Sequence, residues 1–186
     1  MLRASVETAD LQIGDYVFVH GGLAFEKGTI IEKGAALSDG STTTATDLSA
    51  INIGGSGVSM FFGTNGPYLT DTNGDGVVDT KGTPNEDAVG LSITNADLAL
   101  AVLSPTVGSD TSYIGLKASV TNAKFVGSDA FQFNITNGAV ELNLARGTRV
   151  NDMMPVMDFS KLSGGGYSIS TSTTTSEVLD FSTRQI

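Results

Sequence analysis

Two stretches of the chain decide its fold: Leu2-Arg-Ala-Ser-Val-Glu-Thr-Ala-Asp-Leu11 and Leu116-Lys-Ala-Ser-Val-Thr-Asn-Ala-Lys-Phe125. They align without a gap at an offset of 114 positions, with five of the ten residues identical. After a two-residue insertion the match resumes between residues 18–24 and 134–140. Internal repetition of this kind is typical of proteins built from stacked structural repeats.

The repeated pattern is a short strand, a bend and a second short strand. Further copies occur at Ser92-Ile-Thr-Asn-Ala-Asp-Leu98 and, more weakly, at Asn52-Ile-Gly-Gly-Ser-Gly-Val58. Asn and Gly tolerate left-handed backbone angles, which favours a bend at the centre of each copy. We therefore predict bends near residues 8, 21, 55, 95, 122, 137 and 172.

Apolar and polar residues alternate on either side of these bends. Phe131, Phe133 and Ile135 alternate with polar residues, and so do Val140, Leu142 and Leu144. Alternation with period 2 predicts strands with one face in a core and the other in water. Residues 96–103 contain good helix formers, but the equivalent later copy does not, so a strand is predicted there too.

These patterns predict an all-β protein, with residues 1–186 as a single unit. Evenly spaced bends with a shared signature favour a repetitive β-solenoid-like unit, and a β-sandwich is the alternative. If Gln185-Ile186 ran on into Arg3 of a second copy, the join would mirror Gly115-Leu116-Lys117. We therefore expect the chain to be one period of a tandem array.

Composition restricts the classes of function. The chain has 20 acidic and 10 basic residues, a net charge of −10, one His and no Cys. A strongly acidic chain argues against nucleic-acid binding, and the longest apolar stretch is too short to insert into a membrane. His20 has no motif partner for catalysis, so we expect it to cap a bend or face solvent, and we expect no enzyme.

Residues 71–87 carry the clearest chemical motif. Oxygen-bearing side chains occupy loop positions 1, 3, 5 and 9 of an EF-hand-type loop, Gly76 occupies position 6, and position 7 offers a backbone carbonyl. Position 12 is Gly82 instead of Glu, so Glu86 or Asp87 would have to complete the site. The predicted Ca²⁺ ligands are Asp71, Asn73, Asp75, Val77, Asp79, Glu86 and Asp87.

Several runs resemble a known kind of protein: Phe18-Val-His-Gly-Gly-Leu-Ala-Phe-Glu-Lys-Gly28, Ile53-Gly-Gly-Ser56, Phe62-Gly-Thr-Asn-Gly-Pro-Tyr68 and Asn85-Glu-Asp-Ala-Val-Gly-Leu91. The chain is similar over most of residues 2–162 to repeated units of very large bacterial surface and secreted proteins. Those proteins are described as adhesin-like and often carry calcium-binding repeats. The resemblance implies a structural or adhesive role outside the cell.

The sequence therefore predicts a calcium-stabilised structural or adhesive unit of an extracellular or cell-surface bacterial protein. Its expected partners are neighbouring copies of the same unit, joined head to tail through exposed end strands, and a surface glycan. The alternative function is a carbohydrate-binding module of a polysaccharide-active or glycan-adhering protein.

Overall fold

The computed structural model describes residues 1–43, 47–74, 83–107, 111–147, 154–162 and 164–185. The all-β prediction is confirmed: strands dominate the described residues, and the only helical segment among them is the single 3-10 turn Phe159–Lys161. The strands are β1 (Leu2–Ile13), β2 (Val17–Ile31), β3 (Leu48–Thr64), β4 (Val89–Pro105), β5 (Ser112–Val126), β6 (Asn134–Arg146), β7 (Tyr167–Ser170) and β8 (Ser176–Leu179). The segment with helix-forming residues lies in β4, as predicted.

The first six strands form one antiparallel sheet in which spatial order follows chain order, β1-β2-β3-β4-β5-β6. β7 and β8 form a separate antiparallel hairpin. Among the described residues there is neither a closed barrel nor a set of stacked solenoid coils. The predicted solenoid therefore stays a prediction.

One face of the large sheet is covered by the β7–β8 hairpin and by the segment around the 3-10 turn. We call it the covered face. Small residues of β3 and β4 lie beneath the hairpin, and Ala50, Ala99 and Ala101 are fully buried there. Ile169, Leu179 and Phe159 pack on them in one hydrophobic core. The small alanine side chains let the second layer approach the sheet closely.

The other face, which we call the open face, is apolar in five cross-strand rows. From β1 outward the rows are Leu2, Lys27, Ile51, Val102, Ile114 and Leu144; Ala4, Phe25, Ile53, Leu100, Leu116 and Leu142; Val6, Leu23, Gly55, Leu98, Ala118 and Val140; Leu11, Val19, Met60, Ile93, Ala123 and Ile135; and Ile13, Val17, Phe62, Leu91 and Phe125.

The faces of β6 that are buried and exposed are the reverse of those predicted from the sequence. The alternation predicted Val140, Leu142 and Leu144 in a core, but they lie on the open face, and Val140 is 54% exposed. The polar Asn143 between them is fully buried, and its side-chain amide donates to the Met157 and Thr183 carbonyls. The physical reason is that the C-terminal segment packs on the polar side of β6 and supplies those carbonyls.

Candidate functional site

A row of backbone irregularities crosses the large sheet at one level. The ladder shifts register between Val6 and Ala9 in β1, beside Gly21 in β2 and between Gly55 and Met60 in β3. In β4 and β6 the row continues as Asn95 and Asn137, both with φ of 53°. Thr121 of β5 lies between these two asparagines.

The predicted bends therefore exist at the predicted places, but six of the seven form this single row, which we call the bulge row. The chain continues through each as a strand, because a bulge inserts an extra residue without ending the ladder. In β2, β3, β4 and β6 a residue of the row has a positive φ. The seventh bend, near residue 172, is the turn of the β7–β8 hairpin.

At the bulge of β4, the residues of the strand that point to the covered face change between odd and even positions. In β4 the buried residues below the row are Ala99, Ala101 and Leu103, whereas above it they are Ser92 and Thr94. A single extra residue at Asn95 accounts for the change from odd to even positions. In β4 the covered face is thus apolar on one side of the row and polar on the other.

The turn of the β7–β8 hairpin lies on this polar border. A methyl group added at Gly54 would lie 2.0 Å from the Ser170 carbonyl oxygen, and one added at Gly22 would lie 2.9 Å from Ser172 Cβ. Only glycine permits such a close approach between the two layers. The hydroxyl groups of the turn are consequently fixed above β1 and β2.

Glu7 of β1 anchors the same turn. Thr173 donates a hydrogen bond to Glu7 Oε2, Thr174 donates to Oε1 at 2.9 Å, and Ser172 donates to Oε2 at 3.3 Å. These hydrogen bonds, led by that from Thr173, lower the pKa of Glu7 against the opposing effect of desolvation. The Glu7 carboxylate therefore fixes the turn of the β7–β8 hairpin to β1.

Beyond the bulge row, a second cover crosses the sheet, formed by the described ends of the loop between β3 and β4. Asn85 ties the two ends together: its amide donates to the Asn65 carbonyl at 2.6 Å, and its backbone N–H donates to the Tyr68 carbonyl at 2.9 Å. Gly66 rests on the ring of Phe61, where an added methyl group would lie 2.2 Å from a ring carbon. At this end of the covered face, the loop backbone at Gly66 packs directly on the sheet at Phe61.

A cleft of about 880 Å³ opens along the bulge row between the two covers. Its walls carry hydroxyl groups from both the sheet and the hairpin turn: Thr8, Ser56, Ser59, Thr94, Thr121 and Ser172. Asn95 and Asn122 add amide groups, and Tyr68 adds an aromatic ring. The cleft is therefore polar and offers many hydrogen-bonding groups.

Lys124 is the cationic group of this cleft. Its Nζ lies 4.7 Å from the centroid of the Tyr68 ring and donates to the Tyr68 hydroxyl at 3.1 Å. Since Glu7 is the acidic group of the same lining, the two formal charges cancel. An uncharged ligand with hydroxyl groups suits such a lining better than a strongly charged one.

His20 lies at the edge of a neighbouring cavity of about 460 Å³. Its Nδ1 is 2.7 Å from Asp10 Oδ1, and its side chain is only 15% exposed. His20 is therefore largely shielded from solvent and contacts Asp10, next to the bulge at Gly21. Asp10 and His20 are cross-strand partners, and Ser59 is the partner of His20 on its other side.

The predicted calcium ligands are only partly described. Asp75, Val77 and Asp79 lie outside the described residues. Asp71 accepts a hydrogen bond from the Gly74 backbone at 2.8 Å, which makes a tight turn at the start of the loop. Asn73, Glu86 and Asp87 are exposed. In the part of the chain that the structure describes, no three His, Asp or Glu side chains are grouped to hold a metal ion.

Comparison of the chain with protein-family models, with curated proteins and with solved structures gives no match. Among the described residues no helix is long and apolar enough to cross a membrane.

Two features of the surface, the cleft and the open face, were not predicted from the sequence. The cleft combines residues of five strands and two loops, so no local motif marks it. The open face was also missed, although its signal exists in the sequence: Leu98, Leu100 and Val102 alternate with Ala99, Ala101 and Leu103, so β4 is apolar on both faces. A strand of this kind indicates that both faces of its sheet need a cover.

Proposed function

We propose that this protein is a structural unit that joins neighbouring copies of itself end to end, outside a bacterial cell, and that calcium stabilises it. One observation supports the proposal above others: the C-terminal segment pairs with the outer edge of β6. The Asn143 backbone N–H donates to the Gln185 carbonyl at 3.1 Å, in an antiparallel bridge.

The bridge fixes which groups the sheet offers at its edges. Because the Asn143 N–H points outward, Glu141 and Ala139 point their backbone groups outward as well. Following the same alternation through the paired strands, Arg3, Ser5 and Glu7 point theirs outward from β1. Unpaired groups at a sheet edge accept a further strand.

Continuity of the chain and alignment of the bulge rows give the same register for pairing between β6 and β1 of a second copy. If Ile186 takes the place of Leu2 and Arg3 follows it along the β6 edge, Arg3 lies opposite Glu141, since Gln185 lies opposite Asn143. Glu7 then lies opposite Asn137. That register aligns the bulge rows of the two copies, and it places a cation opposite an anion.

The number of strands suits this arrangement. With six antiparallel strands in chain order, β6 runs opposite to β1. A second copy added by simple translation therefore presents its β1 antiparallel to β6. In this proposal, any repetitive, solenoid-like β-structure belongs to the array of copies instead of to one unit.

The test is a two-copy chain in which Arg3 of the second copy directly follows Ile186. We expect one cooperative unfolding transition at a higher temperature than that of the single unit. Glu141→Arg in the first copy should lower the free energy of unfolding by about 0.2–1 kcal/mol, and Arg3→Glu in the second copy should restore it. Glu32→Arg, an exposed acid away from the edge, is the control. Two independent transitions at the temperature of the single unit would contradict the proposal.

The cleft favours a second candidate function, binding of a surface glycan. Hydroxyl and amide groups suit the hydroxyl groups of a sugar, and the Tyr68 ring offers a surface on which a sugar ring packs. Binding to an array of glycans tests this function. Tyr68→Ala should abolish the binding, whereas Tyr16→Ala, which removes an exposed tyrosine outside the cleft, should not. Absence of any glycan binding by the wild type would exclude this candidate.

A further inference from the structure

The open face is an apolar surface of unusual extent. All five of its rows cross the sheet, and Lys27 is the only charged residue among them. Its large side chains are partly or fully exposed: Leu23 is 40% exposed, Ile53 39% and Val140 54%. Neighbouring strands shield them from the side, but no described segment covers them as the hairpin covers Ala50 and Ala99.

The area is large enough for a stable interface. Six strands about 4.8 Å apart and five rows about 6.8 Å apart span roughly 24 by 27 Å from first to last, and on the order of 1,000 Å² once the side chains at the margins are included. The largest apolar patch of an ordinary monomer is about 300–600 Å². A standard protein interface takes about 800 Å² from each partner. The open face is larger than an ordinary patch and of the same order as one side of a standard interface.

We propose that the open face packs against the open face of a second copy, so that two sheets form a β-sandwich. A partner must be apolar over the whole area, since almost no charged or polar side chain of the face is available for pairing. The same face on another copy meets that requirement, and a twofold axis brings the two together. Sheets with apolar faces pack in this way, about 10 Å apart.

A lipid surface is the other apolar partner, and flotation with phosphatidylcholine vesicles distinguishes it from a second copy. The proposed interface is also separate from the edge interface of the proposed function, because β1 and β6 use backbone groups and the open face uses side chains. One can therefore fail without the other.

The experiment measures the mass of the single unit in solution from about 1 to 100 µM by sedimentation. Leu116→Lys places a charge near the centre of the open face, and Ser119→Lys places it on the same strand but facing the other way. Ser5→Pro blocks the outer edge of β1, because proline lacks the outward N–H. Circular dichroism shows whether each variant keeps its strands.

We expect the wild type, Ser119→Lys and Ser5→Pro to be dimers, and Leu116→Lys to raise the dimer Kd by at least about 100-fold. If Leu116→Lys does not fold, Leu116→Cys replaces it: a bismaleimide linker should join two copies through this residue but not through Ser119→Cys. The chain has no cysteine of its own, so the linkage is unambiguous.

Three results would overturn the proposal. The first is a folded wild type that stays monomeric over the whole range. The second is a dimer that Ser5→Pro removes and Leu116→Lys keeps, because such a dimer would use the edge. The third is flotation of the monomer with phosphatidylcholine vesicles, which would assign the open face to lipid.

Discussion

Replacement of Gly54 by alanine tests whether the hairpin is fixed to the sheet by backbone contact. The added methyl group would lie 2.0 Å from the Ser170 carbonyl oxygen and 2.7 Å from Thr171 Cα. Both atoms belong to the backbone, so no side chain can rotate away. The hairpin must move outward, which exposes part of Ile169 and Leu179, now 1% and 0% exposed.

The expected cost follows from these contacts. Overpacking costs about 1–3 kcal/mol, and a clash with backbone belongs at the upper end of that range. Alanine also lowers the conformational entropy of the unfolded chain, which stabilises the folded state by about 0.4–1 kcal/mol. We therefore expect Gly54→Ala to lower the free energy of unfolding by about 2 kcal/mol, or the melting temperature by about 4–8 °C for a chain of this size.

Gly55→Ala is a matched control on the opposite face. There the new methyl group would lie 3.0 Å from Val58 Cγ2, the end of a side chain, and its other neighbours are 3.8 Å away. We expect a change within about 1 kcal/mol of zero. Urea unfolding followed by circular dichroism measures both variants, and hydrogen exchange at Ile169 reports the hairpin. Equal costs for the two variants, or unchanged protection at Ile169, would refute the reasoning.

Three further predictions concern ions and pH. Calcium at about 1 mM should raise the melting temperature of the wild type, and Asp71→Ala combined with Asp75→Ala should abolish the rise; identical melting with calcium and with chelator would exclude the site. Because the folded state lowers the pKa of Glu7 below its ordinary 4.5, its contribution to stability is present above that value and is lost as the pH falls through the folded pKa. The difference in melting temperature between the wild type and Glu7→Gln should therefore shrink from pH 6 to pH 3. Burial raises the pKa of Tyr167 above 10.0, so stability should fall as the pH rises past that value, and Tyr167→Phe should fall less steeply.

The sequence predicts local structure in this protein better than it predicts how strands combine. Most of the alternating segments lie in strands and six of the bends are at the predicted positions, but Phe131 and Phe133 lie before β6 and are exposed. Asn95 and Asn137 each carry a left-handed backbone angle, as expected of a bend. A turn and a bulge use the same angle, however, and only pairing with the neighbouring strand distinguishes them.

Which face is buried depends on long-range packing, and this explains the error at β6. Val140 and Leu142 have the apolar character of core residues, yet the C-terminal segment packs on the side of Asn143. Nothing near β6 in the sequence indicates that choice. The spacing of the predicted calcium ligands is visible locally in the sequence, whereas the cleft depends on five strands meeting at one row.

The order of the strands limits how the length of such a unit can change. A hairpin added to or removed from the sheet leaves the last strand opposite in direction to the first. A single strand gained or lost would make them parallel, and a following copy could no longer pair in the antiparallel manner. The likeness between β1–β2 and β5–β6 is a likeness between two such hairpins. In the proposed array, the hairpin, and not the single strand, is thus the smallest piece by which this sheet can grow through gene duplication.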